Sequence, residues 1–359
     1  MERINVELGE RSYPIYIMTD FSGLGSAFSK AGLRGKVMVV TDSNVSNLYL
    51  KACMEEITST GVQTCSHVIE AGEKSKNLDT VKDIYRQLTD QRFDRNSAIV
   101  ALGGGVTGDI AGFAAATYMR GIHYVQIPTS LLAQADSSIG GKTGVDFEGF
   151  KNMVGAFYQP RFVYININTL RTLPLRELRS GLAEVIKHGL IKDAGFYDFV
   201  RLKMQKIFEF DESTLQYITR TNCSIKKSIV EQDEKESGLR AILNLGHTIG
   251  HAVESVSGFE LLHGECVAIG IAGAFRLARR MGMISKAVEE ETESTLRDAG
   301  LPVKAANMEP QQIYAEMLHD KKAKEGKLSF ILPKRIGEVI NHTIDDRRLL
   351  MEVLEELVG

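Results

Sequence analysis

Arg240, Asn244, His247, His251 and Glu254 fall at positions i, i+4, i+7, i+11 and i+14. On one continuous helix, at about 100° per residue, they would share an arc of about 80°. Ile242, Leu245, Ile249, Val253 and Val256 would then face the opposite way, towards a core. The stripe carries a guanidinium, an amide, two imidazoles and a carboxylate, and His263-Gly264-Glu265 follow close behind. Imidazoles and carboxylates so placed can ligate a divalent metal. A guanidinium beside them can clamp a carboxylate or a phosphate. A solvated face with incidental histidines is the alternative, although such faces tend to be rich in Lys and Glu. A second segment able to do chemistry is Gly103-Gly104-Gly105-Val106-Thr107-Gly108-Asp109, where a strand passes into a helix. Its glycines let an anion approach backbone N–H groups at a helix N-terminus, where the dipole adds positive charge. The spacing is neither GxGxxG nor a Walker loop, and a tight strand–helix turn is the competing explanation. Asp42, in Thr41-Asp42-Ser43-Asn44, ends an earlier strand. A carboxylate there can accept hydrogen bonds from a ribose diol or cap a helix. Glu73 and Lys76 follow another strand in the same way, and three polar strand ends on one sheet edge fit a dinucleotide.

Two kinds of scaffold are needed to hold these groups. Up to about residue 170, β-rich runs at 37–41, 64–69, 98–102, 123–127 and 162–165 alternate with helical patterns at 46–60, 77–91 and 106–118. The residues up to Met18 read as a hairpin. Such alternation predicts a Rossmann-like, doubly wound parallel sheet. Beyond Leu173-Pro174 the pattern turns helical, over 176–191, 215–234, 241–256, 265–281 and 286–299, with one late hairpin at 327–332 and 338–340. The expected fold class is therefore α/β. It combines an N-terminal NAD-binding domain (1–170) with a C-terminal, mostly α-helical metal- and substrate-binding domain (171–359). The active site is expected in the cleft between them.

Composition narrows the function classes. The chain has 359 residues, 43% hydrophobic and 25% charged, enough for two cored domains. A net charge of −3 carries no basic footprint for nucleic acid and no polybasic membrane patch. Cys53, Cys65, Cys223 and Cys266 show no CxxC spacing and read as reduced thiols of a cytoplasmic protein. The first residues lack the apolar core of a secretion signal, and no run approaches the ~18 apolar residues of a membrane span.

Several segments occur together and in order: Gly103 to Asp109, Ile127-Pro128-Thr129-Ser130-Leu131-Leu132-Ala133-Gln134, and Asp136-Ser137-Ser138-Ile139-Gly140-Gly141-Lys142-Thr143-Gly144. They are followed by Lys151-Asn152, Ser180-Gly181-Leu182-Ala183-Glu184-Val185-Ile186-Lys187-His188-Gly189, and Asn244-Leu245-Gly246-His247-Thr248-Ile249-Gly250-His251. In these the chain closely resembles the 3-dehydroquinate synthase family of sugar-phosphate cyclases. The resemblance runs over roughly residues 35–335. It implies a lyase of the shikimate pathway, which serves chorismate and aromatic amino-acid biosynthesis. Such an enzyme converts 3-deoxy-D-arabino-heptulosonate 7-phosphate to 3-dehydroquinate and phosphate. The steps implied are transient oxidation by NAD, β-elimination of phosphate, reduction, ring opening and intramolecular aldol cyclisation. The implied cofactors are NAD and a divalent metal, zinc or cobalt. The implied partner is a small sugar-acid phosphate, acted on by a homodimer.

The resemblance also implies residue roles. Glu184, His247 and His263 are the implied metal ligands, with an i,i+3 ion pair to Lys187 as the competing explanation for Glu184. Arg120, Lys142, Lys151 and Asn152 are carried over as the phosphate cradle, Arg120 reaching a neighbouring subunit's site. Arg240, Lys226, Asn244 and Lys321 are carried over for the substrate carboxylate, Lys322 being the rival of Lys321. Asp136 and Lys187 complete a polar ring. His251 hydrogen-bonds a hydroxyl or relays its proton, or else shares the metal; Glu254 orients an imidazole. Lys142, Lys187, Glu184, His251, Asn244 and Arg240 form the implied catalytic set. The implied NAD positions are Asp42, Asn44, Glu73, Lys76, Gly104, Gly105, Val106, Asp109, Thr129, Ser130, Lys142, Lys151, Thr169 and Thr172. One departure stands out: Glu148-Gly149-Phe150 precedes Lys151-Asn152 where relatives often read Pro-Leu-Gly. Other sugar-phosphate cyclases and metal-dependent polyol dehydrogenases of the same fold are the alternatives.

Overall fold

A computed structural model describes residues 2–319 and 328–359. Lys321 and Lys322 lie outside them, as does the first residue of the expected late hairpin. The chain divides into two compact units: Met1–Leu173 with Leu215–Lys235, and Pro174–Thr214 with Glu236–Gly359.

The first unit is built on strands β1 (Glu2–Val6), β2 (Tyr13–Met18), β3 (Val37–Asp42), β4 (Thr64–Ile69), β5 (Ala98–Gly103), β6 (His123–Pro128), β7 (Lys142–Phe147), β8 (Phe150–Phe157) and β9 (Val163–Asn166). Seven of them form one sheet in the order β1-β2-β9-β6-β5-β3-β4. Only the β1–β2 hairpin at its edge is antiparallel. The near-continuous apolar runs are explained by burial on both faces. Val37, Val39, Val100 and Leu102 enter one core, while Met38, Val40, Ile99 and Ala101 enter the other. The helix Gly105–Thr117 is hydrophobic all round and rich in small residues, so it can lie close on both sides. A Cβ on Gly108 would meet the Gln126 side chain at 2.9 Å. Its outer side is covered by the β7–β8 hairpin, which the sequence patterns did not announce. Glycines and an aspartate interrupt the alternation of Thr143, Val145, Val154 and Ala156 there.

One helix changes sides relative to the expected division at 170/171. From Leu215 onward the helix Glu212–Val230 belongs to the first unit. Cys223 is buried in a cluster with Val6, Tyr13, Ile15 and Ile165, and Asn222 Nδ2 donates to the Ala135 carbonyl at 2.5 Å. These contacts join segments far apart in sequence, which no local pattern reports.

The second unit holds the helices Leu175–Lys192, Ala194–Leu202, His247–Val256, His263–Arg280, Lys286–Asp298, Pro310–His319 and Arg347–Val358, with a hairpin of β10 (Leu328–Arg335) and β11 (Glu338–Ile344). The expected helix over 241–256 is not continuous. A 3₁₀ turn covers Leu239–Asn244, Gly246 is left-handed at φ 81°, and a helix restarts at His247. The cause is a close crossing: a Cβ on Gly246 would lie 2.8 Å from the Val267 carbonyl, and one on Gly270 would overlap the Gly246 carbonyl. The five-residue stripe is thereby split between two elements.

Buried charge ties the helices of this unit together. The Arg276 guanidinium, 6% exposed, meets Glu293 at 2.8 Å and donates to the Glu356 carbonyl at 2.7 Å. Arg276→Ala is expected to cost about 3 kcal/mol in urea unfolding, because it strands a buried carboxylate. Glu293 retains Arg297, which keeps the loss at the low end of that range.

Candidate active site

In the second unit, three helices bring Glu184, His247 and His263 together. They can do so because glycines stand where the helices cross. A Cβ on Gly250 would lie 2.9 Å from the Cys266 carbonyl, and one on Gly264 would overlap the Ser180 carbonyl. The Gly264 N–H donates to Ser180 Oγ at 3.0 Å. Glu184 is fully buried. Its Oε1 lies 3.8 Å from His247 Nε2 and 3.5 Å from His263 Nε2. One ligand atom from each of the three residues falls within 4.8 Å of the others. Bond lengths near 2.0–2.1 Å around a tetrahedral metal would put ligand atoms about 3.4 Å apart, so the set fits a divalent cation. The tautomer agrees as well: His247 Nδ1 lies 3.1 Å from the Leu245 carbonyl, so it carries the proton and leaves the Nε2 lone pair turned towards Glu184.

The expected ion pair of Glu184 with Lys187 is present, and it does not compete with ligation. Lys187, also buried, binds Oε2, whereas Oε1 faces both imidazoles. Burial, reinforced by the Lys187 ammonium, holds the His247 imidazole well below its usual pKa. Burial acts the same way on His263, but the hydrogen bond and charge of Glu184 outweigh it and the net direction is upward. Glu254 is buried, and its Oε1 stands 4.0 Å from His263 Nδ1. His251 is exposed beside the set, its ring centroid 5.2 Å from that of His247 and 6.3 Å from that of His263. Arg240 is 1% exposed on the 3₁₀ turn, and Asn244 Nδ2 donates to Glu236 Oε1 at 3.1 Å.

In the first unit, the helix Gly105–Thr117 opens on Gly104 with no side-chain cap. Ser130 and Ser137 stand over the positions where Gly104 and Gly105 would carry side chains. Ser137 lies inside the Asp136–Gly144 motif and carries no signal of its own in the sequence. Val106 is half-buried in the first turn, and the Thr129 N–H donates to the Gly103 carbonyl at 3.0 Å. Asp42 is a helix cap: its Oδ1 accepts from the N–H groups of Asn44 and Val45 at 3.0 Å, and its Oδ2 from Thr107 at 3.2 Å. Lys76, 6% exposed, pairs with Asp109 at 2.7 Å and donates to Asn152 Oδ1 at 2.5 Å. Burial opposes the Lys76 charge, but Asp109 and Glu73 outweigh it and raise its pKa. Burial raises the Asp109 carboxyl against the pull of Lys76. Lys151 reaches Glu73 at 3.4 Å. Thr169 Oγ1 accepts from Gln134 at 3.1 Å, and Thr172 Oγ1 lies 2.6 Å from the Tyr49 hydroxyl. Lys142 is exposed at the start of β7. Arg120 is exposed in a turn where Met119, Arg120 and Gly121 all have positive φ. Lys226 pairs with Asp136 in the first unit, Nζ donating to Oδ1 at 2.7 Å.

Comparison with known proteins gives this arrangement a context. The structure of 2-deoxy-scyllo-inosose synthase complexed with carbaglucose-6-phosphate, NAD⁺ and Co²⁺ superposes with a TM-score of 0.90 at 26% identity, covering 99% of this chain and 100% of that one. The 2-epi-5-epi-valiolone synthase of Streptomyces hygroscopicus subsp. jinggangensis, with NAD⁺ and Zn²⁺ bound, gives 0.89 at 29% identity over 98% of both chains. The fold is that of the sugar-phosphate cyclases. A protein of Sinorhizobium meliloti named a probable glycerol dehydrogenase, at 16% identity and a TM-score of 0.67, shares the fold alone. Residues 66–180 match the 3-dehydroquinate synthase N-terminal family, and residues 181–323 match the 3-dehydroquinate synthase C-terminal family. The 3-dehydroquinate synthase of Acetivibrio thermocellus is 55% identical over 99% of both chains, and that of Ruminiclostridium cellulolyticum is 53% identical over the same share. The chain belongs to the 3-dehydroquinate synthase family, and it is an enzyme of that family, a phosphate-eliminating cyclase.

Proposed function

We propose that Glu184, His247 and His263 hold the catalytic metal, zinc or cobalt, and that the glycine-led helix of the first unit holds NAD. With them the chain converts 3-deoxy-D-arabino-heptulosonate 7-phosphate to 3-dehydroquinate and phosphate. The observation that carries this is the division of labour at Glu184, one oxygen taken by Lys187 and the other turned to two imidazoles. When bound, the metal supplies Lewis acidity at a substrate hydroxyl and NAD supplies a hydride acceptor. The chain's own residues do the rest. The uncapped N–H groups after Gly104 receive the diphosphate, as helix N-termini do for anions. Asp42, which ends β3, stands where a ribose diol is met in doubly wound folds.

Lys142, Lys151, Asn152 and Arg120 bind the substrate phosphate. Arg240 takes its carboxylate with Lys226, Asn244 and Lys321. His251, Asp136 and Lys187 contact its hydroxyls. Lys187 pairs with Glu184 and orients its carboxylate. Elimination of phosphate after oxidation needs a proton removed from the neighbouring carbon, and the resemblance to the family implies that the departing phosphate assists that removal. The proposal extends to a cytoplasmic homodimer in which Arg120 serves the neighbouring copy.

The direct test supplies the heptulosonate phosphate, catalytic NAD⁺ and zinc or cobalt, and measures released phosphate. Release from hexose phosphates but not from the acid would replace this reading with another cyclase. Chelation is expected to abolish release, and either metal to restore it. Arg240→Lys is expected to raise KM for the acid and lower kcat/KM by about tenfold or more, since one fork of a bidentate clamp is lost. An unchanged KM would remove Arg240 from carboxylate recognition.

A further inference from the structure

Lys151 and Asn152 lie at the tip of the β7–β8 hairpin. Glu148, Gly149 and Asn152 all adopt left-handed backbone there, with φ of 50°, 81° and 53°, and the ladder shifts register between Val145 and Phe147. No proline stiffens Glu148-Gly149-Phe150. Left-handed backbone costs free energy at a non-glycine residue, less at asparagine than at glutamate, and a specific contact is needed to hold it.

Asp146 supplies that contact. Its Oδ1 accepts from the Asn152 backbone N–H at 2.8 Å, and its own N–H donates to the Lys76 carbonyl at 2.9 Å. Lys76 closes the ring, donating to Asn152 Oδ1 at 2.5 Å while paired with Asp109. Asn152 is thus gripped through its main chain by Asp146 and through its side chain by Lys76. The Glu73–Ser75 turn and the hairpin tip become one unit, with Lys151 held 3.4 Å from Glu73.

We infer that Asp146 is a positioning residue: its carboxylate locks the left-handed turn at Asn152 and so aims Lys151 and Asn152 at the substrate phosphate and the dinucleotide. The inference deepens the cyclase reading and rests on it. Asp146 acts through the tip, so its loss weakens binding more than it slows the chemistry.

The test compares Asp146→Ala and Asp146→Asn with the wild-type enzyme in KM, kcat, melting temperature and amide hydrogen exchange over residues 147–153. Losing a hydrogen bond to a charged acceptor is expected to raise KM of Asp146→Ala for the sugar phosphate and NAD⁺ about tenfold, while kcat falls less than about threefold. Exchange at the tip is expected to quicken about tenfold with little change in melting temperature. The Asn variant keeps an acceptor oxygen and is expected to stay within about threefold of wild type. A wild-type KM in Asp146→Ala overturns the inference. So does an Asn variant as impaired as the Ala variant, or a global fall in melting temperature with unaltered local exchange. A wild-type enzyme that releases no phosphate would instead defeat the cyclase reading, and the exchange measurement would still decide whether Asp146 holds the turn.

Discussion

Glu184→Gln is expected to lower turnover on the order of 10³-fold or more, the scale on which removal of one preorganised electrostatic partner acts in a water-poor site. The amide has the size of the carboxylate, so the three crossing helices keep their spacing. What changes is charge. Two neutral imidazoles and an amide bind a divalent cation far less tightly than a set containing a carboxylate. Lys187, 2% exposed, also loses its counter-ion. Stranding a buried cation is destabilising on its own. The variant is therefore measured for metal content by atomic emission, for turnover, and for melting temperature without metal. The expected pattern is a large loss of metal and activity with a smaller loss of stability. Full metal occupancy and wild-type turnover would take Glu184 out of the site.

Gly270→Ala is expected to be the most damaging single methyl added to the second unit. The new Cβ would overlap the Gly246 carbonyl oxygen and come within 2.9 Å of the Gly250 N–H nitrogen. Both neighbours are backbone, so no side-chain rotamer can relieve the clash. Overpacking that side chains can absorb costs about 1–3 kcal/mol, and here relief requires moving a helix, so the cost falls at or above the top of that range. The separation of His247 from His263 depends on the same crossing. Metal binding and unfolding midpoint in urea should therefore fall together. Gly282, whose added Cβ would meet nothing within 4 Å, is the control for the helix C-terminus; its φ of 73° makes its Ala variant mildly strained without closing on the site. A Gly270→Ala protein with unchanged stability would mean that the helices are not held at backbone contact.

Much of the first unit was legible in residue order. Buried parallel strands announce themselves as β-branched and apolar runs bounded by turn residues, and five such runs came out as β3, β4, β5, β6 and β9 within a residue or two at their ends. The β7–β8 hairpin was not legible as a hairpin. Its alternation is broken by Gly144, Asp146, Gly149 and Gly155, and half its outward residues are apolar. Its Lys151 and Asn152 were found only because the family motif contains them. Asp146 gave no signal, since its role depends on a turn that brings residue 146 against residue 152.

The types of group able to ligate a metal, clamp an acid and cradle a diphosphate were determined by the sequence itself, as was the alternation that predicts a doubly wound sheet. Only the tertiary structure decided how those groups are shared out. Read as one helix, Arg240 to Glu254 formed a single stripe. Contact between the Gly246 and Gly270 backbones breaks that helix, leaving Arg240 and Asn244 on a 3₁₀ turn and His247 against Glu184 and His263. The pairing of Lys226 with Asp136 likewise had no signal in the sequence, because it follows from a helix buried through Cys223 in the first unit. Periodicity registers which residues share a face of one element. It is blind to which backbones approach closely enough that only glycine fits, and that approach is what assembles the ligand set.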